Sequence, residues 1–253
     1  VGRVPALVVS LDEAGEEMIR LVEAVDFAPV RLLFHPPRED LLALAPVLAI
    51  KAHWMWLQDA LWNWVPETRG RREDIALLEE DHLVTPDYLE VLDVLLRRKA
   101  DACPHCWGVC VRWACSDSAE DDPLKICRSH SVINTGIAFN RSVYDAIRAS
   151  DFDSFADGWD WALFHLAQTG QMPDMMLGPA VSRVSNIGVE GATVTSGDGG
   201  ALTRQLDYGT VGDAAPRRDP EAFRLHAPPG EMVYVPPAWE PLYLGSGVGF
   251  VAA

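Results

Sequence analysis

Hydrophobic and polar positions along the first two-thirds of the chain switch repeatedly between two periods. Ala6–Val9 is a short continuous apolar run; Met18, Leu21, Val22 and Val25 then fall at i, i+3, i+4 and i+7. That predicts a strand followed by a helix with one apolar face. Ser10 and Glu13 stand at capping-box spacing before it. Pro29–Pro36 reads as a second strand fenced by prolines. "VLAIKAHWMWLQDALWNWV" predicts a helix whose stripe is Ile50, Trp54, Leu57, Leu61 and Trp64, ended by Pro66. The tryptophans Trp54, Trp56, Trp62 and Trp64 are expected in the core. "DIALLEED" reads as the next strand. Thr85 and Pro86 then suit the N-cap and first position of a helix that buries Tyr88, Val91, Leu92 and Leu95.

Further on, Ile133–Phe139 predicts a strand and Ser142–Ser150 a helix. "DGWDWALFHLAQTG" predicts another helix, closed by Gly170. From about Gly191 the chain turns Gly/Thr-rich and then Pro/Gly-rich, which predicts loops and short strands to Ala253. No internal repeat is visible. Strands alternating with helices imply an α/β domain with a largely parallel sheet over 1–190, with 191–253 as a loop-rich extension of it. In such sheets ligands bind beyond the carboxyl ends of the strands.

Charge narrows the partners. The 253 residues carry 37 acidic and 21 basic side chains, a formal net charge of −16. Phosphate-backbone binding wants a basic face, so nucleic acid is excluded as an expected partner. A polyphosphate ligand would need a divalent cation between it and the protein. No run of about 18 uncharged apolar residues spans a membrane, and no signal-peptide pattern opens the chain. The first residue is Val1, not Met, which suggests a piece of something longer.

Three constellations could carry chemistry. Glu79, Glu80, Asp81 and His82 end an apolar strand. Like charges about 4 Å apart cost roughly 1 kcal/mol in water and more near an apolar interior. Strand alternation would send Glu79 and Asp81 to one side and Glu80 to the other. Hard oxygens so placed suit Mg²⁺ or Mn²⁺ shared with a diphosphate. Asp160 lies between Trp159 and Trp161 near a helix start, where partial desolvation would favour a general base; a plain helix-dipole role is the simpler reading. Asn134-Thr135-Gly136 interrupts a strand with polar groups, and Gly136 permits close backbone approach by a sugar or marks a bulge. Cys103, Cys106, Cys110, Cys115 and Cys127 sit in one segment with His130 close by. That spacing fits either a zinc knot or disulfides. No Walker A loop, G-x-G-x-x-G, H-E-x-x-H or G-x-S-x-G sequence occurs.

"KAHWMWLQDALWNWV", "IALLEEDHLVTPDYLEVL", "CPHC", "NTGIAFNRSVYDAI" and "GWDWAL" follow one another in an order that resembles the N-acetylglucosaminyltransferase II family, from about Leu7 to Gly191. The resemblance implies a GT-A type, Rossmann-like nucleotide-sugar transferase fold. It implies UDP-GlcNAc as donor, an N-glycan as acceptor, Mn²⁺ as cofactor and the Golgi lumen as location, with a membrane anchor outside this chain. By the same resemblance Asp81 matches the metal-binding aspartate, with Glu79 and Glu80 the acids before it. Asp160 matches the catalytic base, and Asn134, Gly136, Trp159 and Trp161 lie in the sugar vicinity. Asp12, Lys51 and His53 match donor-contacting positions, and Cys103 and Cys106 match a family disulfide. Two departures stand out: the family's first strand and helix have no counterpart here, and Asn186 stands where the family has a histidine metal ligand. A transferase that binds donor without turnover, or a zinc-binding interaction module around Cys103–His130, are the alternatives.

Overall fold

The structure is a computed structural model describing residues 4, 6–12, 15–36, 44–112, 125–130 and 132–188, together with strands at 224–225, 239–244 and 247–252. It divides into two units, residues 1–72 with 157–159, and residues 73–156 with 160–253.

In the first unit, β1 (Leu7–Leu11) and β2 (Val30–Phe34) pair in parallel, Leu11 opposite Phe34. Helix α1 (Glu16–Glu23) joins them, and α2 (Pro46–Asn63) follows. Ser10 is not a helix cap. It is held in β1 opposite Leu33, and Gly15 occupies the N-cap of α1; Glu13 lies outside the described residues. The apolar face expected on α1 is not buried: Met18 is 47% and Leu21 72% exposed. In α2 the buried face is also displaced. Trp54 and Leu61 are buried as expected, but so are Lys51, Met55, Gln58 and Trp62, while Ile50 and Trp64 are exposed. A helix apolar nearly all round does not announce its inner face by periodicity.

The second unit holds a six-stranded sheet in the order β10-β6-β8-β5-β7-β3. Its strands are β3 (Ile75–Leu77), β5 (Cys106–Cys110), β6 (Lys125–Ser129), β7 (Ile137–Phe139), β8 (Met175–Pro179) and β10 (Arg224–Leu225). The sheet is mixed, which corrects the largely parallel expectation. β5 pairs parallel with β8, and β10 with β6. β7 runs antiparallel to both β3 and β5, and β6 antiparallel to β8. Apolar runs mark strands without revealing their direction. A separate antiparallel pair joins β4 (His82–Val84) to β9 (Val184–Asn186). Strands β11 (Trp239–Leu244) and β12 (Gly247–Ala252) form an antiparallel pair; apart from these two and β10, 191–253 lies outside the described residues.

Helix α3 (Tyr88–Ala102) packs on this sheet through Tyr88, Val91, Leu92 and Leu95, the face its spacing predicts. They meet Val109, Ile126, Ala138 and Leu177 from the strands. Burying each such aliphatic side chain stabilises by about 1.5–3 kcal/mol. Thr85 is not its N-cap. The Thr85 amide donates to Arg183 O (3.0 Å), which keeps it in line with β4, and Asp87 takes the cap position. Helix α4 (Arg141–Arg148) is capped by Asn140, whose side chain accepts from the Ser142 amide. Helix α5 (Trp159–Gln168) and the left-handed Gly170 after it follow the sequence expectation.

A disulfide joins Cys103 to Cys106, and Cys127 is disulfide-bonded too. Thiols tied up in this way offer no thiolates to zinc. His130 instead pairs with Asp174 at 2.7 Å. The zinc-knot expectation is therefore corrected for the described residues; Cys115 lies outside them. Cys110 is buried and free, its thiol pushed up to about 12 by burial.

Candidate functional site

The acidic stretch does not continue the strand. β3 stops at Leu77, and Glu79 to His82 form a turn in which the His82 amide donates to Glu79 O (3.1 Å). The Glu79 amide in turn donates to His82 Nδ1 at 3.1 Å. The alternation expected for Glu79, Glu80 and Asp81 is thus replaced by a turn, with Glu80 exposed. Asp81 is anchored from β9: its backbone oxygen accepts from the Ile187 amide at 2.8 Å.

Register then brings Asn186 to Asp81. His82 pairs with Asn186 across β4 and β9, and Asn186 Nδ2 donates to Asp81 Oδ2 at 2.8 Å. Asn186 Oδ1 accepts from the Gly188 amide at 2.9 Å. A Cβ on Gly188 would stand 2.5 Å from Asp81 Oδ2, so only glycine leaves the carboxylate where it is. Asp81 Oδ1 is buried with no hydrogen-bond partner. An orphaned carboxylate oxygen is costly unless something positive meets it.

Glu79, Asp81 and His82 place one potential ligand atom each within 4.8 Å of one another. His82 fits the role of ligand least well. Its Nδ1 accepts from the Glu79 amide, so the neutral ring carries its proton on Nε2. Burial, acting against the neighbouring Asp81 and Glu80 charges and with Arg112, lowers the His82 pKa and keeps the ring neutral. The donor set is then carboxylate oxygen, centred on Asp81, which fits a hard divalent cation.

Asp160 sits in the first turn of α5, half-buried. Its Oδ2 accepts from Asn134 Nδ2 at 2.9 Å and its Oδ1 from the Trp161 amide at 2.9 Å. Asn134 Oδ1 accepts from Thr135 Oγ1, which accepts in turn from Arg112 Nη1. Gly136, the next residue, is left-handed (φ 63°), and a Cβ there would meet Val111 Cγ2 at 2.5 Å and Val184 Cγ1 at 3.1 Å. One turn therefore holds Asp160 on one side and packs on β9, which carries Asn186, on the other. Arg112 was not singled out in the sequence. The signal was a cation two residues beyond the all-buried strand "CWGVC".

The donor-type residues of the first unit form a cluster of their own. Asp12 follows β1 and His35 follows β2, side by side at the carboxyl ends of a parallel pair; the His35 amide donates to Leu11 O at 3.0 Å. His53, on α2, places Nδ1 3.0 Å from His35 Nδ1 and 3.8 Å from Asp12 Oδ2. Ser10 Oγ lies 3.1 Å from His53 Nε2. Lys51 is buried. Trp159 stacks on Trp54, ring centroids 5.1 Å apart and nearly coplanar, while Trp161 stands half-buried.

The family model described as N-acetylglucosaminyltransferase II (MGAT2) matches residues 42–201. An alpha-1,6-mannosyl-glycoprotein 2-beta-N-acetylglucosaminyltransferase of Arabidopsis thaliana is 28% identical over 196 residues, covering 62% of this chain and 45% of that protein. The proteins of the same name from Sus scrofa and Homo sapiens are 30% and 32% identical, over 54% and 46% of this chain and 33% and 28% of their own lengths. The chain spans less than half the length of each of these relatives.

Proposed function

Because the chain belongs to the N-acetylglucosaminyltransferase II family, we propose that it moves N-acetylglucosamine from UDP-GlcNAc to the 2-hydroxyl of a mannose on an N-glycan, with inversion. The observation that carries this reading is the pair of positioned carboxylates. Asp81 keeps one buried oxygen without a hydrogen-bond partner, and Asp160 is held at both oxygens, by the Asn134 side-chain amide and the Trp161 backbone amide.

In this reading Asp81 would hold Mn²⁺, with Asn186 as a second ligand, and the chemistry the ion would supply there is Lewis-acid charge neutralisation of a diphosphate. For Asn186 Oδ1 to face a cation, its amide turns over and gives up the Gly188 bond. Glu79 and Glu80, assigned to the donor side, shape the turn that carries Asp81. Asp160 takes the proton from the mannose 2-hydroxyl as that oxygen attacks the anomeric carbon. Asn134 and the Trp161 amide keep its carboxylate aimed during the transfer. The base works opposite the leaving group, as in other inverting sugar chemistry. Asp12, Lys51 and His53 belong to the donor side, and Gly136, Trp159 and Trp161 to the sugar vicinity. The fold is GT-A type in this proposal.

The Golgi lumen is the proposed location, since a disulfide between Cys103 and Cys106 suits an oxidising compartment. No helix among the described residues is long and apolar enough to cross a membrane; membrane attachment in this reading runs through an anchor outside the chain. The test is the linkage of the product. GlcNAc added to the α-1,6-linked mannose of an N-glycan supports the proposal, and addition only to the α-1,3-linked mannose overturns it. A second reading, donor binding without turnover, is favoured by Asn186, whose side-chain amide is already engaged at both ends, by Asp81 Oδ2 and the Gly188 amide. A single-turnover assay that shows donor bound and no product would select it.

A further inference from the structure

We propose that Asp12, His35 and His53 form a second divalent-metal site, of zinc-type preference, built from residues other than those of the acidic turn at Asp81. It rests on the first unit alone and does not depend on the transferase reading.

The geometry is that of a ligand set. His35 Nδ1 and His53 Nδ1 face each other at 3.0 Å. Asp12 Oδ1 lies 3.6 Å from the first and Asp12 Oδ2 3.8 Å from the second. One donor atom from each residue falls within 4.8 Å of the others. Zinc–nitrogen and zinc–oxygen bonds of about 2.0–2.1 Å give tetrahedral edges of roughly 3.3 Å. The observed spacings bracket that edge, so a small adjustment of side chains closes the polyhedron.

The surroundings fit as well. Ser10 Oγ is 3.1 Å from His53 Nε2. With Nε2–H donating to that hydroxyl, the His53 Nδ1 lone pair is turned toward His35 and Asp12. An outer hydrogen bond on the distal nitrogen is the usual device that fixes the tautomer of a metal-binding imidazole. His35 has its side chain only 2% exposed and stacks on Trp56, centroids 4.6 Å apart. A rigid, buried ring presenting Nδ1 to another imidazole loses little freedom when an ion enters. Asp12, half-exposed, leaves the fourth position open to water or an anionic ligand. Two imidazoles and one carboxylate prefer zinc-class ions to manganese or magnesium, whose preference is for oxygen. The chemistry implied is a three-ligand zinc site with an open position at the carboxyl ends of a parallel strand pair, where α/β folds take ligands.

The experiment uses the 253-residue chain, free of any histidine tag and stripped of metal under non-reducing conditions. Zn²⁺ is titrated by calorimetry and Co²⁺ by visible absorption. The full chain should take up one more zinc equivalent than His35→Gln. It should also show a visible Co²⁺ band that His35→Gln lacks and that Asp81→Asn retains. Should His35→Gln fail to fold, Asp12→Asn, at a half-exposed position, must lose the same equivalent. Equal zinc uptake and an unchanged cobalt spectrum in the folded His35→Gln or Asp12→Asn protein overturn the proposal. So does zinc uptake that Asp81→Asn alone abolishes. A missing manganese-dependent donor site would leave these readings unchanged, so the two proposals fail separately.

Discussion

Asn186 Nδ2 donates to Asp81 Oδ2 at 2.8 Å, across 105 residues of sequence, while Asp81 Oδ1 stays buried without a hydrogen-bond partner. The contact exists because β9 pairs with β4 in a register that sets Asn186 opposite His82, the residue after Asp81. Gly188 closes the arrangement from behind. Replacing Gly188 by Ala should push the carboxylate out of place, since the added Cβ would meet Oδ2 at 2.5 Å. Donor binding in the presence of manganese is expected to weaken several-fold. Thermal stability should move by less than about 1 kcal/mol, because Asp81 is part-exposed. Parent-like donor affinity in this variant would mean that the position of Asp81 is unimportant.

The β4–β9 pair is itself pinned by an ion pair out of solvent. Arg183 Nε donates to Asp87 Oδ2 at 2.9 Å, with side chains 0% and 1% exposed, and Thr85 Oγ1 donates to Asp87 Oδ1 at 2.6 Å. Removing one partner leaves an uncompensated buried charge. Asp87→Ala should therefore cost about 3–5 kcal/mol in denaturant unfolding. The double change Asp87→Leu with Arg183→Met should recover much of that loss. If the single variant unfolded with the parent's midpoint, the pair would not be structural.

Asp160 is expected to matter for transfer and not for donor binding. Asn at this position keeps the shape and loses the basicity. Transfer should fall by at least about 100-fold, with UDP-GlcNAc affinity little changed. Retention of near-full transfer by Asp160→Asn would remove it as the base.

Cys110 should be inert in the folded chain. Its thiol is buried and its pKa raised by that burial to about 12, so almost no thiolate exists at pH 8. Peptide mapping after maleimide treatment should find Cys110 unlabelled in native protein and labelled in guanidinium. Labelling of the native chain at Cys110 would contradict its burial.

The sequence was most readable where one pattern met one partner. Tyr88, Val91, Leu92 and Leu95 are buried as their spacing predicts, because α3 has a single apolar face and a sheet to lay it on. It was least readable where the pattern was saturated: α2 carries apolar residues nearly all round, so its buried face includes Lys51 and Gln58 and leaves out Ile50. Strand direction was not legible either, and β7 runs antiparallel between β5 and β3. The acidic stretch announced itself as charge at the end of an apolar run, and Asp81 was singled out by the family motif. Its turn geometry depends on the Glu79 amide meeting the His82 ring, a contact with no signature in composition. His35 was passed over because a single histidine after a strand carries no spacing signal. Only the parallel register of β1 and β2 sets it beside Asp12.

Manganese-dependent binding of UDP-GlcNAc, measured by calorimetry on the 253-residue chain and on Asp81→Ala, tests the central claim most directly. The account predicts binding that requires manganese and that weakens at least about tenfold in Asp81→Ala. Equal affinity in the two proteins, or affinity indifferent to manganese, would contradict it.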